Sequence, residues 1–312
     1  MTASTGRAQA AVTLGKQSPA EQVQVPAPVA PIRYAIELAS PVQDKFADFI
    51  AANRTTTPLE MVQPNVFPGQ TAAICGAGPS LADTILAGIA GVDHVFACNS
   101  ALGYLISNGL RVTGAVGIDQ TPGLLREWAD LPDVPYYVAS SCDPALIQHL
   151  TAHGRRVVFF HNAVGLEDEY DLYCRTWTPT FMVGQGFTVC SRFIGVAQWM
   201  GFERVDVYGA DCAFGPDDVT HANGEAADAA YRTPLIMTGK LPPSDRTWRT
   251  RPDMLRDAVH LAKRAQESAG RIRLMGDTLP VALLGKDAAY LDQVSRTLLP
   301  GETAPLAPPS TP

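Results

Sequence analysis

Gly76, Gly78 and Ser80, in the run Ala73-Ile74-Cys75-Gly76-Ala77-Gly78-Pro79-Ser80-Leu81, are the residues of this sequence best suited to hold a phosphate. A short apolar run there turns on glycines into a helical pattern. Glycine lets backbone approach an anion, and the free N–H groups of a helix start, with the positive end of its dipole, favour negative charge. Ser80 is placed to cap the helix or to donate its hydroxyl. The plainer alternative is a tight βα turn with a capping serine. The third glycine of a dinucleotide fingerprint would fall at Leu81 and Pro79 follows the second glycine directly, so an NAD-binding oxidoreductase is disfavoured; the lysine of a P-loop is missing too.

Further polar residues close other apolar runs. Asn99 ends Phe96-Ala97-Cys98 and can hold a base or ribose, or cap the next helix. Asp119 ends Val116-Gly117-Ile118, where a carboxylate can bind Mg²⁺ beside phosphates, bond a ribose hydroxyl or cap a turn. A second glycine turn, Gly184-Gln185-Gly186-Phe187-Thr188, enters a helix and offers a second anion site through Gly186 and Thr188. Asp211 ends the strand after that helix. Ten residues beyond it lies His221, in Thr220-His221-Ala222-Asn223-Gly224, a plausible general base or an idle loop histidine.

These residues need strands and helices to bring them together. Short apolar runs at 72–75, 94–98, 112–118, 136–139, 156–160, 204–208 and 271–275 alternate with helical periods at 81–90, 100–108, 122–129, 143–152, 188–200 and 252–269. That alternation predicts an α/β fold of Rossmann-like, doubly wound type, with a mostly parallel sheet and helices on both faces. Phe193, Ala197 and Met200 read as sheet-facing core. The acidic, aromatic stretch 164–184 is expected as a partly helical insertion over the ligand cleft. Residues 213–250 read as irregular, of the kind that serves as a binding or lid element.

The Pro-, Ala- and Gln-rich residues 1–40 read as a disordered arm, 41–69 as a lead-in helix and linker, 70–290 as the nucleotide-binding domain, and 291–312 as a Pro-rich disordered C-terminal tail. The net charge of −7 argues against nucleic acid as a partner. No apolar run reaches the ~20 residues of a membrane span. The six cysteines form no CxxC pair and read as reduced core thiols, consistent with the cytoplasm. Oligomeric state stays open.

The order of the motifs, GAGPSL, CNSA, GID, GQGFT, VYGADCAF and THANG over residues 65–285, resembles the 6-hydroxymethylpterin diphosphokinase MptE-like family, which looks related to motility-associated flagellin glycosyltransferases and bacterial sialyltransferases. The resemblance implies a transferase that moves diphosphate from ATP to a small hydroxymethyl, pterin-like acceptor. Gly76, Gly78 and Ser80 would then cradle phosphate, Asn99 would hold the nucleotide, and Asp119 and Asp211 would be available to Mg²⁺. The glycosyltransferase relation implies instead a nucleotide sugar on the same loop, no required metal, and His221 as base. A nucleotide-binding module without catalysis is the non-enzyme alternative.

Overall fold

Runs of two to six residues, mostly apolar except in β8 and β9, form the strands β1 (Thr71–Cys75), β2 (His94–Cys98), β3 (Gly114–Gly117), β4 (Tyr136–Ala139), β5 (Val157–Asn162), β6 (Met182–Val183), β7 (Arg204–Tyr208), β8 (Met237–Lys240), β9 (Thr247–Thr250) and β10 (Ile272–Leu274). The helices are α1 (Phe46–Asn53), α2 (Leu81–Gly88), α3 (Ala101–Ser107), α4 (Gly123–Glu127), α5 (Pro144–Ala152), α6 (Glu169–Thr176), α7 (Val189–Trp199), α8 (Pro252–Glu267), α9 (Leu279–Ala282) and α10 (Ala288–Arg296). This computed structural model describes residues 45–296 except 57, 90, 129–131, 164–168, 178–180, 185, 225–236 and 241–245. The arm at 1–40 and the tail from 297 onward lie outside the described residues.

Eight strands form one sheet in the order β10-β7-β1-β2-β3-β4-β5-β6. Every neighbouring pair in it is parallel. Parallel strands joined by crossover helices are covered on both faces, and accordingly all four residues of β3 and β4 and all six of β5 are buried. The chain moves outward from β1 to β6, then crosses back to lay β7 on the other side of β1. Strand order therefore reverses between β1 and β7, and ligands of open α/β sheets bind outside the carboxyl ends of the strands at such a reversal. The register Cys75↔Tyr208 makes β1 and β7 end level with one another.

The core forms where α7 crosses the sheet. Phe193 is fully buried, with its ring centroid 5.0 Å from that of Phe96, 5.8 Å from Tyr137 and 6.1 Å from Phe160. At the other margin, Asp206 of β7, buried in mid-strand, faces Arg273 of β10 in register and accepts from its Nε (2.7 Å) and Nη2 (2.5 Å). The paired ion is what makes a carboxylate tolerable there.

Three expectations are corrected. The stretch 164–184 is not an insertion over the cleft in its described part: α6 packs on α1, and Tyr173 and Trp177 belong to the core. Tyr173 Oη donates to Asn162 O (3.1 Å), and Trp177 Nε1 donates to Ile50 O (3.0 Å). The acidic residues of the stretch masked an apolar face, and Met182–Val183 extend the sheet as β6. Within 213–250, β8 and β9 pair as an antiparallel hairpin, and Trp248 and Thr250 of β9 are buried. Finally, α10 continues to Arg296 and buries Leu291, so folded chain reaches past residue 290.

Because Trp177 is core, Trp177→Ala is expected to destabilise the protein by about 3–5 kcal/mol in urea unfolding. A change below about 1 kcal/mol would mean that α6 is a loosely attached cover.

Candidate functional site

At the level ends of β1 and β7 two glycine-containing loops lie against each other. Gly76 N–H donates to Tyr208 O (2.8 Å) and Gly78 N–H donates to Gly209 O (2.9 Å). The approach leaves no room for side chains. A Cβ on Gly76 would lie 2.6 Å from Gly209 O, one on Gly209, at φ +60°, 2.2 Å from Gly76 O, and one on Gly78 2.6 Å from Gly209 O and 2.1 Å from Asp211 Oδ2.

Asp211 completes the junction. Ser80 Oγ donates to its Oδ2 (2.9 Å), and Ser80 N–H reaches both carboxylate oxygens (3.2 and 3.3 Å). The carboxylate thus sits at the positive end of α2, where a phosphate was expected, and the serine caps nothing with its own oxygen. The amides of Gly76, Gly78 and Ser80 are committed inside the protein; the glycines are required first by backbone packing. Burial pushes the Asp211 carboxyl up to about 6, against the opposing pull of the Ser80 hydrogen bonds and of Arg246.

Around this junction opens a cleft of about 430 Å³. Gly76, Gly78, Asn99, Asp119, Thr188, Asp211 and His221 all line it; Ser80 and Gly186 do not. Asn99, the first residue after β2, adopts φ +48°, a left-handed conformation that asparagine tolerates. Its Nδ2 donates to Asp119 Oδ2 (2.7 Å), while its buried Oδ1 has no partner. Burial raises the pKa of Asp119, and the Asn99 hydrogen bond works against that rise. The loop of His221 is tied to the glycine loop by Ala222 N–H donating to Ala77 O (2.8 Å), and Thr220 Oγ1 lies 2.9 Å from His221 Nδ1.

The second glycine turn is also served by a carboxylate of the protein. Thr188 caps α7 by accepting from Ser191 N–H, and its hydroxyl donates to Asp257 Oδ2 (2.6 Å). Gly186, at φ +102°, adjoins Ser191 so closely that a Cβ would lie 2.2 Å from Ser191 Oγ. The residues sequence reasoning missed are Asp257 on α8, Arg251 and Asp253 at the start of that helix, and Phe187 at the cleft rim. Asp257 had a legible signal: it stands four residues before Leu261 and beside Ala258, on the apolar stripe of α8. Among the described residues no group of three or more His, Cys, Asp or Glu side chains converges to hold a metal.

An all-parallel open sheet with a cleft where strand order reverses defines the chain as an α/β protein of Rossmann-like type. Over residues 45–217, more than half of its length, it matches the family described as "6-hydroxymethylpterin diphosphokinase MptE-like". The chain belongs to the MptE-like family. A solved structure it resembles is the MAf glycosyltransferase from Magnetospirillum magneticum AMB-1, with TM-score 0.53 and 14% identity over 82% of this chain. The likeness spans 42% of the glycosyltransferase chain, less than half its length, and supports the fold. No curated protein matches the sequence. Among the described residues no helix is long and apolar enough to cross a membrane.

Gly78→Ala is expected to cost about 1–3 kcal/mol of stability with no ligand present, because Gly209 O is backbone and cannot swing away. Unchanged unfolding free energy would return the glycine to a role toward ligand alone. For Asp211, the folded carboxyl holds its proton to a higher pH than the ordinary value of 3.8. Its favourable contribution is present at low pH and is lost as pH rises from about 4 through 6. Asp211→Asn should therefore gain about 2 kcal/mol relative to the wild type between pH 4 and pH 7. Parallel pH–stability curves for the two proteins would contradict the raised pKa.

Proposed function

We propose that the chain is a nucleotide-dependent transferase that binds ATP as its magnesium complex and passes diphosphate to a small, pterin-like hydroxymethyl acceptor. The observation that carries this reading is the charge of the cleft. Its described lining sets Asp119, Asp211 and Asp253 against Arg251 and His221, with no lysine. Arg251 in turn directs Nε (3.0 Å) and Nη2 (2.9 Å) to Asp253. A polyphosphate suits so acidic a wall as a metal complex, and magnesium is commonly held by one or two carboxylates together with the phosphates themselves.

Asp119 fits that ion: one oxygen is committed to Asn99, and Oδ1 has no partner among the described residues. Bound there, magnesium would neutralise phosphate charge. Val189 and Cys190, the first residues of α7, line the cleft, and N–H groups of a first helical turn have no acceptor within the helix. They take over the anion contacts that the committed amides of Gly78 and Ser80 do not make. Asn99 Oδ1 is left to accept from the nucleotide.

In the transfer, the hydroxymethyl oxygen of the acceptor attacks the β-phosphorus of ATP. The bond from that phosphorus to the oxygen bridging it to the α-phosphate breaks, AMP leaves, and the hydroxyl proton passes to Asp211. A carboxyl near 6 is a stronger base than an ordinary aspartate and is still ionised at neutral pH. His221 is the second base within the cleft. The second reading, glycosyl transfer from a nucleotide sugar without metal, is favoured by the likeness to the MAf glycosyltransferase fold.

Calorimetric titration separates the two. Binding of ATP that requires Mg²⁺ supports diphosphate transfer, whereas metal-independent binding of CMP-sialic acid or a UDP-sugar supports the glycosyltransferase and ends the first reading. With an active acceptor in hand, kcat/KM should climb with pH through an apparent pKa near 6, since the base must be ionised, and Asp211→Asn should remove that limb with a loss of about 10²–10⁴-fold. An unaltered profile in the variant would leave Asp211 as a structural cap.

A further inference from the structure

We propose that the ring of Phe187 is the platform on which the planar amino-heterocycle of a bound ligand stacks, and that Asp257 is the positioning residue that holds it there. This rests on the reading of the cleft as a site for a nucleotide and a pterin-like acceptor. Among the described residues three large apolar side chains are exposed, Val66, Ile106 and Phe187. Phe187 is the most exposed of them, at 52%, the only aromatic, and the only one that lines the cleft. Its ring stacks on no other described aromatic ring.

The backbone beneath the ring is fixed from two sides. Phe187 N–H donates to Asp257 Oδ1 (2.7 Å), and the hydroxyl of the next residue, Thr188, donates to Oδ2 (2.6 Å). Asp257 is fully buried, and a buried carboxylate is tolerated only when its oxygens are satisfied in this way. On the other side Gly186 takes a left-handed φ of +102° in direct contact with Ser191, a path closed to residues with a side chain. A buried charge and a glycine at a φ that side chains avoid thus fix the backbone that carries an aromatic ring which itself buries little. Apolar burial does not explain the expense; a ligand face does.

Stacking on a phenyl face is available to any planar base, and Met254, which also lines the cleft, is a soft, adaptable side chain. The buried, unpartnered Oδ1 of Asn99 in the same cleft asks for an N–H donor. A planar ring bearing an amino group meets both demands. Adenine and a pterin share that chemistry, and the test separates them.

Wild type, Phe187→Ala and Phe187→Trp are titrated with ATP, with inorganic triphosphate and with 6-hydroxymethylpterin, each with Mg²⁺. Phe187→Ala should weaken one ring-bearing probe by about 5- to 150-fold and leave triphosphate unchanged. The probe that weakens names the ring on the platform. Phe187→Trp should keep the affinity, with its indole fluorescence quenched by that same probe, and Asp257→Asn in the Phe187→Trp background should remove at least half of the quenching. Equal affinity of wild type and Phe187→Ala for every ring-bearing probe that binds overturns the platform while the transferase reading stands. If Phe187→Ala does not fold, absence of quenching in Phe187→Trp at saturation overturns it equally. A wild type that binds none of the probes sinks the transferase reading and this inference with it.

Discussion

The carboxylate of Asp211, seated on the N–H and hydroxyl of Ser80, is the constraint on which the candidate site depends. It ties the end of β7 to the first turn of α2 and so fixes the two loops that flank the reversal of strand order. The glycines at 76, 78 and 209 follow from it, since the loops meet at distances that only hydrogen at Cα permits. One largely buried carboxylate, hydrogen-bonded at a helix start, sets the floor of the cleft. It also places in that floor a carboxyl whose proton is held to about pH 6.

The parallel sheet does the remaining placement at little cost in special sequence. Every strand of the parallel sheet delivers its carboxyl end to the same edge, and the residues after β1, β2, β3 and β7 line the cleft there. Asn99 and Asp119 meet because β2 and β3 are neighbours, and their hydrogen bond fixes the asparagine with Oδ1 unpaired. A backbone bond from Ala222 to Ala77 ties His221 and its loop to the glycine loop. A ligand entering the cleft therefore meets groups drawn from several strands, each held by a rigid neighbour.

Much of this was legible in the sequence. Strands β2, β4 and β7 fall where apolar runs bounded by turn formers place them, residue for residue, and seven of the nine named site residues line one cleft. The failures have physical causes. Tyr173 and Trp177 were set outside the core because four acidic residues in the preceding turns obscure a helix whose other face is buried. The hairpin of β8 and β9 escaped because apart from Met237 and Trp248 its residues are Thr, Gly, Lys and Arg, with Trp248 alone carrying the burial of β9's middle. The glycine turns were read as anion cradles because periodicity shows where a helix begins but not what occupies its free N–H groups.

That occupancy matters beyond the two turns. Both helix starts that a glycine motif marked, α2 and α7, are already served by carboxylates from distant sequence, Asp211 at 131 residues from Ser80 and Asp257 at 69 from Thr188. The N–H of Ser80 at the start of α2 is spent on folding, the first-turn amides of Val189 and Cys190 on α7 stay open to the cleft, and each of the two carboxylates adds negative charge near it. Such a construction is unfavourable to a bare anion. On the transferase reading a phosphate would enter with a cation, and the groups left unsatisfied on the walls, an amide oxygen and an exposed phenyl ring, would serve the flat, amino-bearing part of such a ligand rather than its charge.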